Sequence, residues 1–152
     1  MRKKVGVAPR TLVTFRCTKF NTSETRRDYI NPNNYGDDVA EWLRNELAAQ
    51  GIVVGRKIGQ EDFGWWLSFQ NGGRMYDFVL GYNADGYWMG WLERERGMAG
   101  SLFGMRRKGI QAEAAKVIHS VLVSTDFISD IRWHTPKDFD SLREDMGKAT
   151  PV

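Results

Sequence analysis

Two histidines and one adjacent acidic pair are the residues of this chain best suited to acid–base chemistry. His119 falls beside the apolar stripe of a predicted helix, and His134 ends a predicted strand just before Pro136. Neither imidazole has a carboxylate at the helical spacing of a metal-ligand pair. An acid–base site would therefore need Glu61 or Asp62 to converge on a histidine in space. The sequence predicts no metal and no cofactor.

Glu61 and Asp62 are neighbours in a predicted turn, where adjacent side chains point in different directions. Two carboxylates share one proton only when they lie side by side, so this pair is poorly placed for that chemistry. The simplest interpretation is a polar turn in which Asp62 bonds to nearby backbone amides. The functional interpretation is that Glu61 and Asp62 contact a partner. We predict no catalytic residue.

A basic run, Arg106-Arg107-Lys108, lies between two glycines whose spacing is that of a phosphate-binding loop. Ile110 stands where that loop needs its lysine, so the nucleotide-binding motif is not present. The run is predicted either to bind an anion, such as a phosphate or an acidic partner, or to be a solvated basic loop. Together with the basic amino end, it would alternatively line a channel for single-stranded nucleic acid.

The charge of the chain is unevenly distributed. Residues 1–27 carry eight Lys or Arg and one Glu, a balance of +7, whereas the remaining residues carry fourteen against eighteen, a balance of −4. A basic amino end on a mildly acidic body is typical of a nucleic-acid-binding arm. It is also the ordinary composition of a solvated terminus, so both interpretations stay open.

Large aromatic residues are predicted on a sheet face that no helix covers. Trp65 and Trp66 are consecutive in a strand and so project from opposite faces. If helices cover the Trp65 side, Trp66 lies on the other side, where its neighbours along the strand are small or polar. Trp88 alternates with Tyr87 in the same way. Because Trp and Tyr are enriched at interfaces, we predict that Trp66 and Trp88 bind a partner. The alternative is that loops or the C-terminal segment cover them.

Periodicity predicts the elements that position these side chains. Alternation of apolar residues predicts strands over residues 11–20, 52–58, 63–70, 76–82, 87–95 and 127–133. Apolar stripes predict helices over 37–50 and 110–124. The order β-α-β-β-β-β-α-β predicts an α+β fold, a two-layer sandwich of two helices on a mostly antiparallel sheet of five to six strands.

The predicted core and domain limits follow from the same pattern. The Asn71-Gly72-Gly73 sequence predicts a tight hairpin turn, because such turns need positive φ angles. Residues 1–135 are predicted to form one domain, and residues 136–152 a C-terminal extension with a short helix. The residues predicted to share one core are Val13, Phe15, Val39, Leu43, Leu47, Leu67, Phe78, Leu80, Val117, Ile118 and Val121.

Composition and cysteine content narrow the class of protein. The 152 residues are 41% hydrophobic and 27% charged, which is ordinary for a globular domain. No apolar run approaches the roughly 18 residues of a membrane span, and no signal peptide is predicted. Cys17 is the single cysteine, so no intrachain disulfide is expected, and its strand position predicts burial. A cytoplasmic location fits these features.

The stretch from Gly36-Asp37-Asp38 to Glu61-Asp62-Phe63-Gly64-Trp65 resembles small bacterial proteins of no established activity. The resemblance covers about a third of the chain. It implies membership of an uncharacterised family and carries over no catalytic residue.

Three functions agree with these observations. The first is a non-catalytic protein-binding module of a bacterium, of the inhibitor, immunity or accessory kind, whose partner is another protein or a second copy in a homodimer. The second is a nucleic-acid-binding protein that uses the basic N-terminus and loop. The third is a small enzyme with an unrecognised site. A continuous basic stripe would favour nucleic acid, a face of mixed or acidic charge would favour protein, and a deep cleft with a titratable group would favour an enzyme.

Overall fold

The computed structural model describes residues 9–95, 109–140 and 147–152. The strands of these segments are β1 (Leu12–Cys17), β2 (Gly59–Glu61), β3 (Gly64–Asn71), β4 (Arg74–Tyr82), β5 (Tyr87–Arg94) and β6 (Ile128–His134). Their helices are α1 (Asp37–Ala49), α2 (Ala112–Val123) and α3 (Pro136–Asp140). The predicted α+β class is confirmed. Among the described residues, no helix is long and apolar enough to cross a membrane.

All six strands belong to one antiparallel sheet with the spatial order β2-β3-β4-β5-β1-β6. Strands β2 to β5 form a meander, and β1 is inserted between β5 and β6. The turn between β3 and β4 is the predicted hairpin, with φ angles of 59° at Gly72 and 77° at Gly73. Glycine adopts such angles without steric cost, which fixes the register of this hairpin.

Helices α1 and α2 cover one face of the sheet and bury their apolar stripes against it. Asp37 and Asp38 lie in the first turn of α1, where the helix dipole favours negative charge. The residue before them, Gly36, has a φ of 132°, and a side chain there would press on Leu80 and Trp65. A residue without a Cβ therefore lets the chain enter α1 close to the sheet.

The predicted core is confirmed. Ten of its eleven residues are buried in one cluster between the helices and the sheet, and Val117 packs against the edge of that cluster. Full burial of a leucine or valine side chain contributes about 1.5–3 kcal/mol, so this cluster supplies a large favourable contribution to folding. Cys17 is buried at its margin, and burial raises the pKa of its thiol, so it acts as a small hydrophobic residue.

Strand β6 departs from the predicted alternation because it contains a bulge. Ile128 and Trp133 are both buried in the core although they are five residues apart, a spacing that places residues of a regular strand on opposite faces. The register against β1 shifts between Thr14 and Arg16, and Asp130 in the bulged segment has a φ of 51°. The extra residue restores the inward direction of both apolar side chains.

The predicted strand over 52–58 was wrong in its limits. Only an isolated bridge joins Val54 to Phe69, and β2 begins at Gly59. Phe63 also departs from the predicted alternation with Trp65. It lies in the turn between β2 and β3, is 49% exposed, and packs against the ring of Trp91 at a centroid distance of 5.2 Å. A turn residue is not bound by strand periodicity, so its side chain reaches the other face.

Candidate functional site

The sheet face opposite α1 and α2, which we call the open face, carries the alternate residues of the strands. Cross-strand pairing aligns Trp66, Val79, Trp91 and Leu12 in one row on four neighbouring strands. Phe139 of α3 packs against this row. Along its own strand, Trp66 has small or polar neighbours on the same face. Its neighbours across the strands are apolar, and pairing rather than sequence order brings them together.

A row of polar residues lies beside the apolar row. Asp77 and Glu93 are directly opposite each other on β4 and β5, and both are 0% exposed. Ser68 donates a hydrogen bond of 2.6 Å to the Asp77 carboxylate, and the Trp91 indole nitrogen donates one of 2.9 Å to Glu93. Burial of two opposed acidic side chains is costly, and these donors offset part of that cost. Neither residue was predicted from the sequence, because an isolated acidic residue in an alternating strand is normally expected to be exposed.

A groove of about 420 Å³ opens on the open face, between α3 and the turn from β4 to β5. Its lining consists of Thr14, Asn83, Ala84, Asp85, Tyr87, Trp88, Asp130, Arg132 and Phe139. Three of these residues have positive φ angles, 71° at Ala84, 54° at Asp85 and 51° at Asp130. Non-glycine residues rarely adopt such angles, and they tend to cluster at functional sites.

Tyr87 is the centre of the polar contacts in the groove. Its hydroxyl donates a hydrogen bond of 3.3 Å to Asp130, and Arg132 donates one of 3.1 Å to the other oxygen of the same carboxylate. The guanidinium of Arg16 lies 3.8 Å above the centre of the Tyr87 ring and donates a hydrogen bond of 3.2 Å to the backbone oxygen of Asp85. The Tyr87 ring therefore lies between the Arg16 guanidinium, which borders the groove, and the Asp130–Arg132 ion pair, which lines it.

No protein-family model, curated protein or solved structure matches this chain. The resemblance to small bacterial proteins therefore stays a prediction.

The side chain of His134 lies beside the groove and is buried. It shares a hydrogen bond of 2.9 Å with the Thr14 hydroxyl, and its ring is 5.8 Å from that of Phe139. A side chain at Gly147 would press on the His134 ring, so the C-terminal segment also covers this imidazole. His134 thus joins the C-terminal segment to the sheet.

The acid–base site considered from the sequence is not assembled among the described residues. His119 lies on the helix side, where its Nδ1 accepts a hydrogen bond of 3.0 Å from the Trp133 indole nitrogen. His134, the residue after Trp133 in β6, lies on the open face. Glu61 and Asp62 are at the opposite edge of the sheet, five strand spacings or roughly 24 Å from β6. Within the described ranges, no three His, Cys, Asp or Glu residues form a metal-binding group.

The two predicted partner-binding tryptophans lie on opposite sides of the sheet. Trp66 is on the open face, half-buried, with its indole over Gly59, where a Cβ would overlap the ring. Trp88 was placed wrongly, because its side chain is 0% exposed in the core on the helix side, 5.2 Å from the Tyr82 ring. Both faces of β5 carry large residues, so alternation alone did not show which of them the helices cover.

The turn with Glu61 and Asp62 is held by the loop that precedes α1. Asn34 donates a hydrogen bond to the Glu61 backbone oxygen, and Asn31 donates one to that of Asp62. The turn thus anchors a loop through its backbone, while the Asp62 side chain is exposed. A partner-binding role for both residues stays a prediction. The predicted anion-binding residues Arg106, Arg107 and Lys108 lie outside the described residues.

The same loop carries a tyrosine whose pKa is strongly raised. Tyr29 donates a hydrogen bond of 2.8 Å to Asp37, which also forms an ion pair with Arg26. Burial and the bond to Asp37 raise the pKa of Tyr29 to about 12, and the contact with Asp37 also raises the pKa of Arg26. These groups brace the start of α1 on the helix side, away from the groove.

Proposed function

We propose that this chain is a non-catalytic protein-binding module of a bacterium, an inhibitor, immunity or accessory protein of the cytoplasm, and that it binds its partner with the groove of the open face. The observation that supports this most strongly is the Tyr87 ring, held between Arg16 and Asp130 in an open groove. Tyr and Arg are the side chains most enriched where binding energy concentrates in protein interfaces.

The charges of the groove favour a polypeptide partner over a nucleic acid. The groove lining holds Arg132 against Asp85 and Asp130, and Arg16 at its border brings these four side chains to no net charge. Nucleic-acid sites are much more positive than protein interfaces, because they must neutralise a row of phosphates. A surface of alternating sign instead suits the polar rim of a protein interface.

The test is affinity capture with the tagged full chain from nuclease-treated bacterial lysate, followed by reconstitution of the captured protein from purified components. Tyr87→Ala should weaken the reconstituted complex about thirtyfold or more, the loss expected at a central aromatic residue. Arg44→Ala, on α1 and on the opposite side of the sheet, is the matched control and should bind like the wild type. Melting curves of each variant exclude loss by unfolding.

Two results would contradict the proposal. One is a purified partner that binds the Tyr87→Ala variant as tightly as the wild type. The other is a protein that is captured from untreated lysate but not from nuclease-treated lysate, and whose capture returns with an added oligonucleotide, which would favour the nucleic-acid function instead.

A further inference from the structure

Arg16 has hydrogen-bond donors to spare in a fixed position. A guanidinium carries five N–H donors in a planar fork. Among the described residues, Arg16 makes one hydrogen bond, from Nη1 to the Asp85 backbone oxygen, and one stacking contact, with Tyr87. Arg16 borders the groove rather than lining it, through its contacts with Tyr87 and Asp85, and its remaining donors are available to a ligand that lies against the Tyr87 ring.

Tyr87 and the turn with Asp85, which contact Arg16, are fixed by further hydrogen bonds. The Tyr87 hydroxyl is bonded to Asp130, and Arg132 bonds to that same carboxylate. The turn that supplies the Asp85 oxygen is closed by a hydrogen bond of 2.8 Å from the Gly86 nitrogen to the Tyr82 hydroxyl. A long side chain normally loses much rotamer freedom when it binds, and one already fixed loses less.

The shape and charge of the site select the ligand. A planar guanidinium with free parallel N–H groups matches a carboxylate or a phosphate bidentately. The carboxylates of Asp85 and Asp130 also line the groove. Repulsion by these two groups grows with the charge of the ligand, so a carboxylate of charge −1 is favoured over a phosphate of charge near −2.

We propose that a carboxylate of the partner polypeptide binds the guanidinium of Arg16 at the border of the groove, with the Tyr87 ring as its platform. This inference rests on the proposed protein-binding function and names the chemical group that the groove recognises. The carboxylate comes from a Glu or Asp side chain or from a C-terminus, and both present the same pair of oxygens.

The test measures the binding of short synthetic peptides to the full-length protein at low salt. Binding is followed by the NMR signals of the Arg16 side-chain N–H groups. The probes are a blocked peptide Ac-Ala-Glu-Ala-Glu-Ala-NH2, its Gln counterpart, and an acetylated alanine peptide with a free C-terminus. At least one carboxylate peptide should bind about tenfold more tightly than the Gln peptide, the gain expected from a charge-assisted bidentate pair. Comparison of the two carboxylate peptides then distinguishes a side chain from a C-terminus as its source.

Two lysine variants distinguish the effect of the planar guanidinium geometry from the effect of its positive charge. Arg16→Lys keeps the charge but loses the planar fork, and should weaken peptide binding about fivefold or more. Arg44→Lys is the matched control, because Arg44 also donates to a backbone oxygen, that of Arg56, and no ring contact is described for it. It should leave peptide binding unchanged.

Equal affinity for the Glu, free-carboxylate and Gln peptides would overturn the inference, and so would unchanged binding by Arg16→Lys. Shifts spread evenly over all exposed Arg and Lys side chains would also overturn it, because they indicate non-specific attraction. If a reconstituted partner needs Tyr87 but not Arg16, this inference fails and the protein-binding function stands. If partner binding needs neither residue, the protein-binding function fails as well.

Discussion

The hydroxyl of Tyr87 on β5 donates a hydrogen bond to the carboxylate of Asp130 on β6, although β1 lies between these two strands. The outer strands are two spacings apart, about 9.6 Å, so the two side chains must span β1 to meet. The bulge in β6 and the positive φ of Asp130 accompany this contact. The groove is thus a product of strand order and of one irregular residue.

Burial of the core makes a large favourable contribution to the free energy of unfolding. Truncation of Leu43 or Leu80 to Ala tests this contribution. Both side chains are fully buried in the cluster beneath the helices. Each change should lower the free energy of unfolding by about 2–5 kcal/mol, measured by denaturant titration. Val53→Ala, at a side chain that is 59% exposed, is the control and should change it by less than about 0.5 kcal/mol. Losses below about 0.5 kcal/mol at both core positions would contradict the description of the core.

Gly59 leaves the space that the Trp66 indole occupies. Gly59→Ala should lower the free energy of unfolding by about 1–3 kcal/mol, because its methyl group would overlap the ring. In the Trp66→Leu background the same change should cost much less, since the ring is gone, and a double-mutant cycle measures the difference. Equal costs in both backgrounds would show that the indole does not lie over Gly59.

Stability should fall on acidification through His119. Burial lowers the pKa of His119, whose Nδ1 accepts the Trp133 indole bond. The native state then binds fewer protons than the unfolded state, where the pKa is about 6.5. The stability contribution is complete above about pH 6.5 and is lost as the pH falls toward the lower native pKa.

The measurement is the free energy of unfolding at neutral pH and at about pH 5. His119→Gln does not titrate, and its amide oxygen can accept the indole bond. The variant should therefore show a smaller loss of stability over this interval than the wild type does. An identical loss in both proteins would assign the effect to other groups.

At alkaline pH, stability should fall as the pH rises, and Tyr29 is the group responsible. The pKa of Tyr29 is raised to about 12 from an ordinary value near 10. Its contribution to stability is complete below about pH 10 and is lost as the pH rises through about 12. Tyr29→Phe should flatten the stability curve in this range. A wild-type curve that falls no more steeply than that of the variant would show that burial and the bond to Asp37 do not raise the pKa of Tyr29.

The sequence predicted the fold well because its signals were local. Alternation in β3 and β4, the paired glycines of their turn and the stripe of α1 depend on neighbours within a few residues. The register of this hairpin and the burial of Leu43 and Leu80 were therefore predictable. The insertion of β1 between β5 and β6 was not, because no local pattern specifies the order of distant strands.

The groove was predicted poorly for the same reason. Arg16 comes from β1, Asp85 and Tyr87 come from the turn after β4 and the start of β5, and Asp130 comes from β6, so these four residues lie on three separate segments. Trp88 was misplaced because both faces of its strand carry large residues. The composition of residues 83–86 is typical of a turn, whereas Asp130 is one of several polar residues in β6 and gave no signal of an irregular site.

Hydroxyl-radical footprinting of the purified complex tests the binding face most directly. Oxidation rates of side chains are compared for the free chain and for the chain with its reconstituted partner. We expect protection of Tyr87 and Phe139, which line the groove, and unchanged oxidation of Trp42 on α1, which is also half-buried. Protection of Trp42 with unchanged oxidation of Tyr87 and Phe139 would place the partner on the helix side and contradict the account.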